Sequence, residues 1–144
     1  NCTPKQIQQY LGKLSGPLLD RIDLHVEVPS VKFSELQSRD EGEKSSVIRE
    51  RVNKARKIQL ERYKGLNIYS NAELTPALIK KYCKLDNQCS EILKNAFERL
   101  GLSARAHNRI LKVARTIADI EGSENICKEH LLEAIQYRSL DRKM

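Results

Sequence analysis

Tryptophan is absent from these 144 residues, and aromatic side chains make up only 5% of them. A core must therefore be built from Leu, Ile, Val and Ala, which favours packed helices over a sandwich or barrel. The four cysteines, Cys2, Cys83, Cys89 and Cys127, form no CxxC pair, and the three histidines show no HxxxH spacing. A zinc site within the chain is not expected, and no metal ligand is assigned. Cys83, Cys89 and Cys127 fall among apolar helical positions and read as buried, reduced thiols, which points to a cytoplasmic compartment. No signal-peptide pattern and no apolar run of spanning length occurs, so no membrane partner is expected. A phosphate cradle is missing too. No stretch fits GxxxxGK[ST], since Gly12-Lys13 lacks the earlier glycine and the following Ser or Thr. TIADIEG, from Thr116, ends in acids but has the period of a helix, so it is no Walker B strand. No Ser/His/Asp or Cys/His set has supporting spacing. The chain by itself is not expected to be a complete enzyme or to hold a cofactor.

What is plentiful is positive charge. Lys and Arg number 26 against 19 Asp and Glu, a net +7, which makes anionic partners the first expectation. Thr3-Pro4 is an N-cap followed by a proline at the first helical position. Ile7, Tyr10, Leu11 and Leu14 then recur at helical spacing until Ser15-Gly16-Pro17. Residues 22–28 alternate, with Ile22, Leu24, Val26 and Val28 on one face and Asp23, His25 and Glu27 on the other, the pattern of a half-buried strand. A polar stretch, 30–45, follows as a linker and domain boundary. Beyond it the pattern is helical. A long basic helix is expected from Ser46, with Ile48, Val52, Ala55 and Ile58 inward and Arg49, Arg51, Lys54, Arg56, Lys57, Arg62 and Lys64 around them. Shorter helices are expected from Thr75-Pro76 and from Asp86, the latter stopped by Gly101. Ser103 caps the most strongly patterned helix, which Gly122 stops. Asn125 caps the last, with Leu131, Leu132 and Ile135 inward, and the tail YRSLDRKM reads as frayed.

Two arginines stand where phosphate chemistry uses them. Arg21 lies at the entrance of the expected strand, between Asp20 and Asp23 and after Pro17. It either pairs with one of those acids or a helix end, or reaches across a subunit boundary to a phosphoryl group. Arg105 falls in the first turn of the helix capped by Ser103, beside free backbone N–H groups and the positive end of the dipole. An acid is the usual choice there, so an arginine suggests an anion held at that point. Arg109 is one turn on, along the same face, while Lys112 and Arg115 read as a solvated basic surface.

LSGPLLDRIDLHVEVP and LGLSARAHNRILKVARTIADIEGSENICKEHLLEAIQYRSLDR together resemble the C-terminal part of the magnesium-chelatase-related AAA+ family of ComM/YifB type. The likeness runs from Cys2 to Arg142 and implies a mainly α fold: a helical AAA+ lid bundle preceded by a helix and one strand left from the AAA+ core. Residues 1–45 would be the end of that core and 46–144 the lid. By the same resemblance Arg21 is the arginine finger acting in trans on a neighbour's ATP. Arg105, with Arg109 beside it, is the sensor 2 contact to ATP phosphate. The family's full-length members bind ATP and Mg2+, form homo-hexameric rings and, in the ComM branch, drive branch migration of DNA as helicases in recombination. A chain that opens on Asn1-Cys2 without Met looks like a piece of such a protein, inactive alone. Two alternatives are a magnesium chelatase ATPase subunit and a non-catalytic helical nucleic-acid-binding module using Arg51, Lys54 and Lys57.

Overall fold

The computed structural model describes residues 3–13, 15–31 and 42–138, and among these the fold is built from helices without strands. Helix α1 is Pro4–Leu11, α2 the single turn Gly16–Leu19, and α3 Ser45–Arg62. A 3-10 turn, Asn71–Glu73, leads to α4, Pro76–Tyr82. Then come α5, Asn87–Leu100, α6, Ala104–Glu121, and α7, Lys128–Gln136.

The helix starts follow from local chemistry. The Thr3 hydroxyl accepts from Gln6 N while Gln6 reaches back to Thr3 N, a reciprocal cap. Thr75, Asp86 and Ser103 cap α4, α5 and α6 through bonds to Leu78 N, Cys89 N and Ala106 N. The stops at Gly101 (φ 61°) and Gly122 (φ 74°) use the left-handed conformation that glycine adopts without strain. Helix α7 starts later than expected. Its cap is Cys127, whose N–H donates to His130 Nδ1 at 2.9 Å, while His130 Nε2 lies 2.8 Å from Glu121. Only the tautomer protonated at Nε2 satisfies both bonds.

Helix α6 is the hub, packed against α7, α3, α4 and the 3-10 turn, with α5 against α7. Ala106, Ile110, Ala114 and Ala118 are fully buried along its inner face, where they meet Leu131, Ala134 and Ile135 of α7 and Leu93 and Cys89 of α5. Tyr63, just past α3, is 1% exposed and meets Tyr82 edge to face at 5.2 Å. The small residues on α6 allow close helix approach, and the branched residues opposite fill the space.

Several expectations change. Residues 22–28 pair with no strand among the described residues, and of the seven only His25 is turned inward. Ile22, Leu24, Val26 and Val28 are exposed, while His25 is buried and its N–H donates to Tyr137 O at 2.7 Å. With no ladder to set a sheet face, attachment to the helical bundle decides which side chain turns in. In α3 burial is confined to Ala55 and Gln59, with Ile58 partly buried; Ile48 and Val52 are exposed. Helix α1 ends at Leu11, before the expected stop, and Leu14 lies outside the described residues. Leu132 is exposed, and Cys127 is exposed while Cys83 and Cys89 are buried. Cys2 lies outside the described residues. Among the described residues no helix is long and apolar enough to cross a membrane.

Candidate functional site: a basic cleft along α6

A cleft of ≈ 730 Å³ runs along the outer face of α6. Arg105, Arg109 and Lys112 line it from α6, Asp23 and Leu24 from the extended segment, Ala72 and Leu74 from the 3-10 region, and Tyr137 from the end of α7. Positions 105, 109 and 112 share a face because steps of four and three residues nearly close the helical turn. The helix therefore brings three cations to one wall, and Lys112, expected on a solvated surface, is a partly buried member of it.

Each cation is held differently. Arg105 is exposed, and no bond or ion pair holds it among the described residues. Arg109 forms an ion pair with Asp23, and its buried Nε–H has no partner among the described residues, a donor that an anion or a water would satisfy. Lys112 donates to Ala72 O at 2.7 Å. Desolvation, and then the neighbouring Arg109 charge, hold its ammonium below the ordinary lysine range. That Arg109 repels it marks a rim short of negative charge. Asp23 and Glu133 are its only carboxylates among the described residues, and Asp23 is already paired.

Arg21 sits outside this cleft, on the turn after α2, exposed, with its Nη1 donating to Pro17 O at 3.1 Å. Neither flanking acid pairs with it. Asp20 accepts from the Ser103 hydroxyl at 3.0 Å, and Asp23 goes to Arg109. Arg51 is clamped by both oxygens of Glu43 at 2.9 Å, and Lys54 pairs with Glu50 at 3.0 Å, while Lys57 is exposed. The three basic residues of α3 are thus not equally free to meet an anion.

A second polar cluster lies inside the bundle, where a solvated surface was expected for Arg115. That residue is only 3% exposed. Its Nε bonds Asp119 at 3.1 Å, and its terminal nitrogens bond the carbonyls of Glu124 (2.8 Å) and Ser123 (2.6 Å) past the end of α6. Asp119 also receives Arg62 and, at 2.9 Å, the amide of Asn71. The bond to Asp119 holds the Arg62 guanidinium well above its usual range. The spacing of 115 and 119, one helical turn, carried a signal of this pair; the partners from α3 and the 3-10 turn did not. Also missed was Arg138. Within a tail expected to fray, it is 1% exposed and bonds the carbonyl of Ile22 at 2.5 Å.

The sequence profile described as magnesium chelatase, subunit ChlI C-terminal, matches residues 42–138, and that described as magnesium chelatase, subunit ChlI, matches residues 1–36. The chain is 47% identical over 141 residues to Competence protein ComM of Haemophilus influenzae, covering 97% of this chain and 27% of that protein. It is 46% identical over 142 residues to Uncharacterized protein YifB of Salmonella typhimurium, covering 98% of this chain and 27% of that protein. To Uncharacterized protein Rv2897c of Mycobacterium tuberculosis it is 33% identical over 137 residues, covering 95% of this chain and 27% of that protein. The chain thus spans about a quarter of the length of these relatives.

Proposed function

The chain belongs to the magnesium chelatase ChlI C-terminal family, and from that premise we propose that it is the lid of an AAA+ ATPase that couples ATP hydrolysis to DNA remodelling, as in a ComM-like branch migration helicase. The observation that carries the reading is the α6 wall, where Arg105, unpaired among the described residues, stands over the cleft beside Arg109 and Lys112. Guanidinium and ammonium groups gathered in a partly desolvated cleft suit phosphate oxygens. Arg105 would hold a phosphate as the sensor 2 residue, with the Nε–H of Arg109 as a further donor. Bound ATP with Mg2+ would supply the phosphoanhydride to be cleaved. Arg21, exposed and not paired with Asp20 or Asp23, would act in trans as the finger toward the next subunit of a homo-hexameric ring. Its fixed positive charge would offset charge that develops away from this chain.

The DNA reading is put before chelation because ComM, at 47% identity, is named a competence protein. The test is ATP turnover in a protein of the relatives' full length carrying these residues. Arg21→Ala is expected to lower kcat by about 10³-fold or more, the range of a lost arginine finger, with ATP binding retained. Arg105→Ala is expected to lower kcat and to weaken ATP binding. Wild-type turnover in both variants overturns the assignment.

A further inference from the structure

We propose that Arg138 is the positioning residue of Arg21: its buried guanidinium clamps the backbone on both sides of the Arg21 turn to the lid, so that the finger and the cleft wall move as one piece. The inference rests on the reading of Arg21 as a trans-acting finger.

Arg21 sits on a tight turn, with its own N–H bonded to Leu18 O at 2.9 Å and that of Ile22 to Leu19 O at 3.1 Å. Such a turn alone would not fix the direction of an exposed arginine. The Arg138 side chain, 1% exposed, bonds Ile22 O at 2.5 Å and reaches Leu19 O at 3.5 Å from both terminal nitrogens, with Asp20 at 3.8 Å. These acceptors bracket position 21, so the fork grips the turn and leaves the Arg21 side chain outside. Planar forked donors suit such paired acceptors, which a lysine could meet only one at a time. The preceding residue completes the link, because Tyr137 O accepts from His25 N and the Tyr137 side chain lines the cleft. On the opposite flank Asp20 accepts from Ser103, the residue that caps the helix bearing Arg105, and Asp23 pairs with Arg109. The turn is therefore tied to the end of α7, to the start of α6 and to the cleft wall. A displacement of the lid on occupying its own cleft would be passed to Arg21 without slack.

The experiment is steady-state ATP turnover in a protein of the relatives' full length carrying these residues. Arg138→Met keeps the side-chain length and removes the donors. It is expected to lower kcat about ten- to a hundredfold, as small misplacements of a reacting group do, with KM for ATP unchanged. Arg138→Lys should recover part of the loss. Arg138→Met placed in an Arg21→Ala background should add nothing, since both act through one group. Wild-type kcat in Arg138→Met beside a depressed kcat in Arg21→Ala overturns the clamp and leaves the finger standing. An additive loss in the double variant, or a KM that rises in step with the fall in kcat, also overturns the clamp. Wild-type kcat in Arg21→Ala overturns the finger itself, and the clamp with it. Should Arg138→Met fail to fold by circular dichroism, Asp20→Ala takes its place under the same criteria, because it loosens the same turn from a partly exposed site.

Discussion

At the scale of single residues the chain spends its charges in two ways. Arg105 and Arg21 are exposed, while Arg62, Arg115 and Asp119 are joined in the interior, with Asn71 completing the shell around the carboxylate. Two guanidiniums around one buried carboxylate cost desolvation, and the cluster survives because nearly every donor has an acceptor. Removing the carboxylate leaves Arg115 buried with one acceptor fewer and Arg62 without its main partner. Asp119→Ala is therefore expected to lower the stability of the chain by about 3–5 kcal/mol, the cost of breaking a buried pair. Urea denaturation measures it, and a midpoint within error of wild type would show that the cluster contributes nothing. Sequence gave a partial view of this cluster. The i, i+4 spacing of Arg115 and Asp119 was visible, but a basic residue at a helical position reads as solvated until the element that buries it is known.

At the scale of elements, the starts and stops were legible because they are local. Thr3, Thr75, Asp86 and Ser103 act within three residues of themselves, and Gly101 and Gly122 act at their own backbone angles. Ser103 carries a second duty, since its hydroxyl also donates to Asp20 on the Arg21 turn. Ser103→Ala is expected to cost about 1–2 kcal/mol through the lost cap. In the full-length protein it should also lower turnover, because Asp20 is released. Ser103→Asp keeps a cap and places a second carboxylate against Asp20, so it should hold α6 while still disturbing the turn. Thermal melts and turnover measured on both variants separate the two duties; wild-type turnover in Ser103→Asp, which keeps the cap, would argue against a second one. The expected strand failed where the caps succeeded. Alternation at 22–28 is a pattern for a sheet face, and a sheet needs a neighbour that the local sequence does not name.

At the scale of the whole molecule, burial couples the fold to alkaline pH. Desolvation pushes the Cys83 thiol from 9.0 up to about 11, raises Cys89 to about 11, and raises the Tyr63 hydroxyl above its ordinary value. The folded chain thus holds protons that the unfolded chain releases. Stability from these groups is full below pH 9 and is lost as pH rises toward about 11. For Cys83 alone a displacement of that size corresponds to roughly 2–3 kcal/mol. Lys112 runs the other way, since its lowered value gives a contribution that is full above its unfolded value and is lost as pH falls through its folded one. Urea midpoints taken from pH 8 to pH 11 should fall in the wild type, and fall less steeply in Cys83→Ala whatever its starting stability. Parallel slopes in the two chains would refute the assignment to Cys83.

What the sequence determined by itself is everything that acts over a turn or two of chain: the helical class, most of the helix ends, the apolar face of α6 and the placement of Arg105 and Arg109 on one wall. What only the tertiary structure decided is what lies across from each of these. The burial of Arg115 and Arg138, the inward turn of His25, the ties of Asp20 to Ser103 and of Asp23 to Arg109, and the exposure of Arg21 all depend on residues some four to about a hundred and twenty positions apart. Periodicity reports which side of an element is apolar. It carries no information about which distant carbonyl or carboxylate will stand opposite a charge, and in this chain that choice decides which arginines are structural and which are left to act.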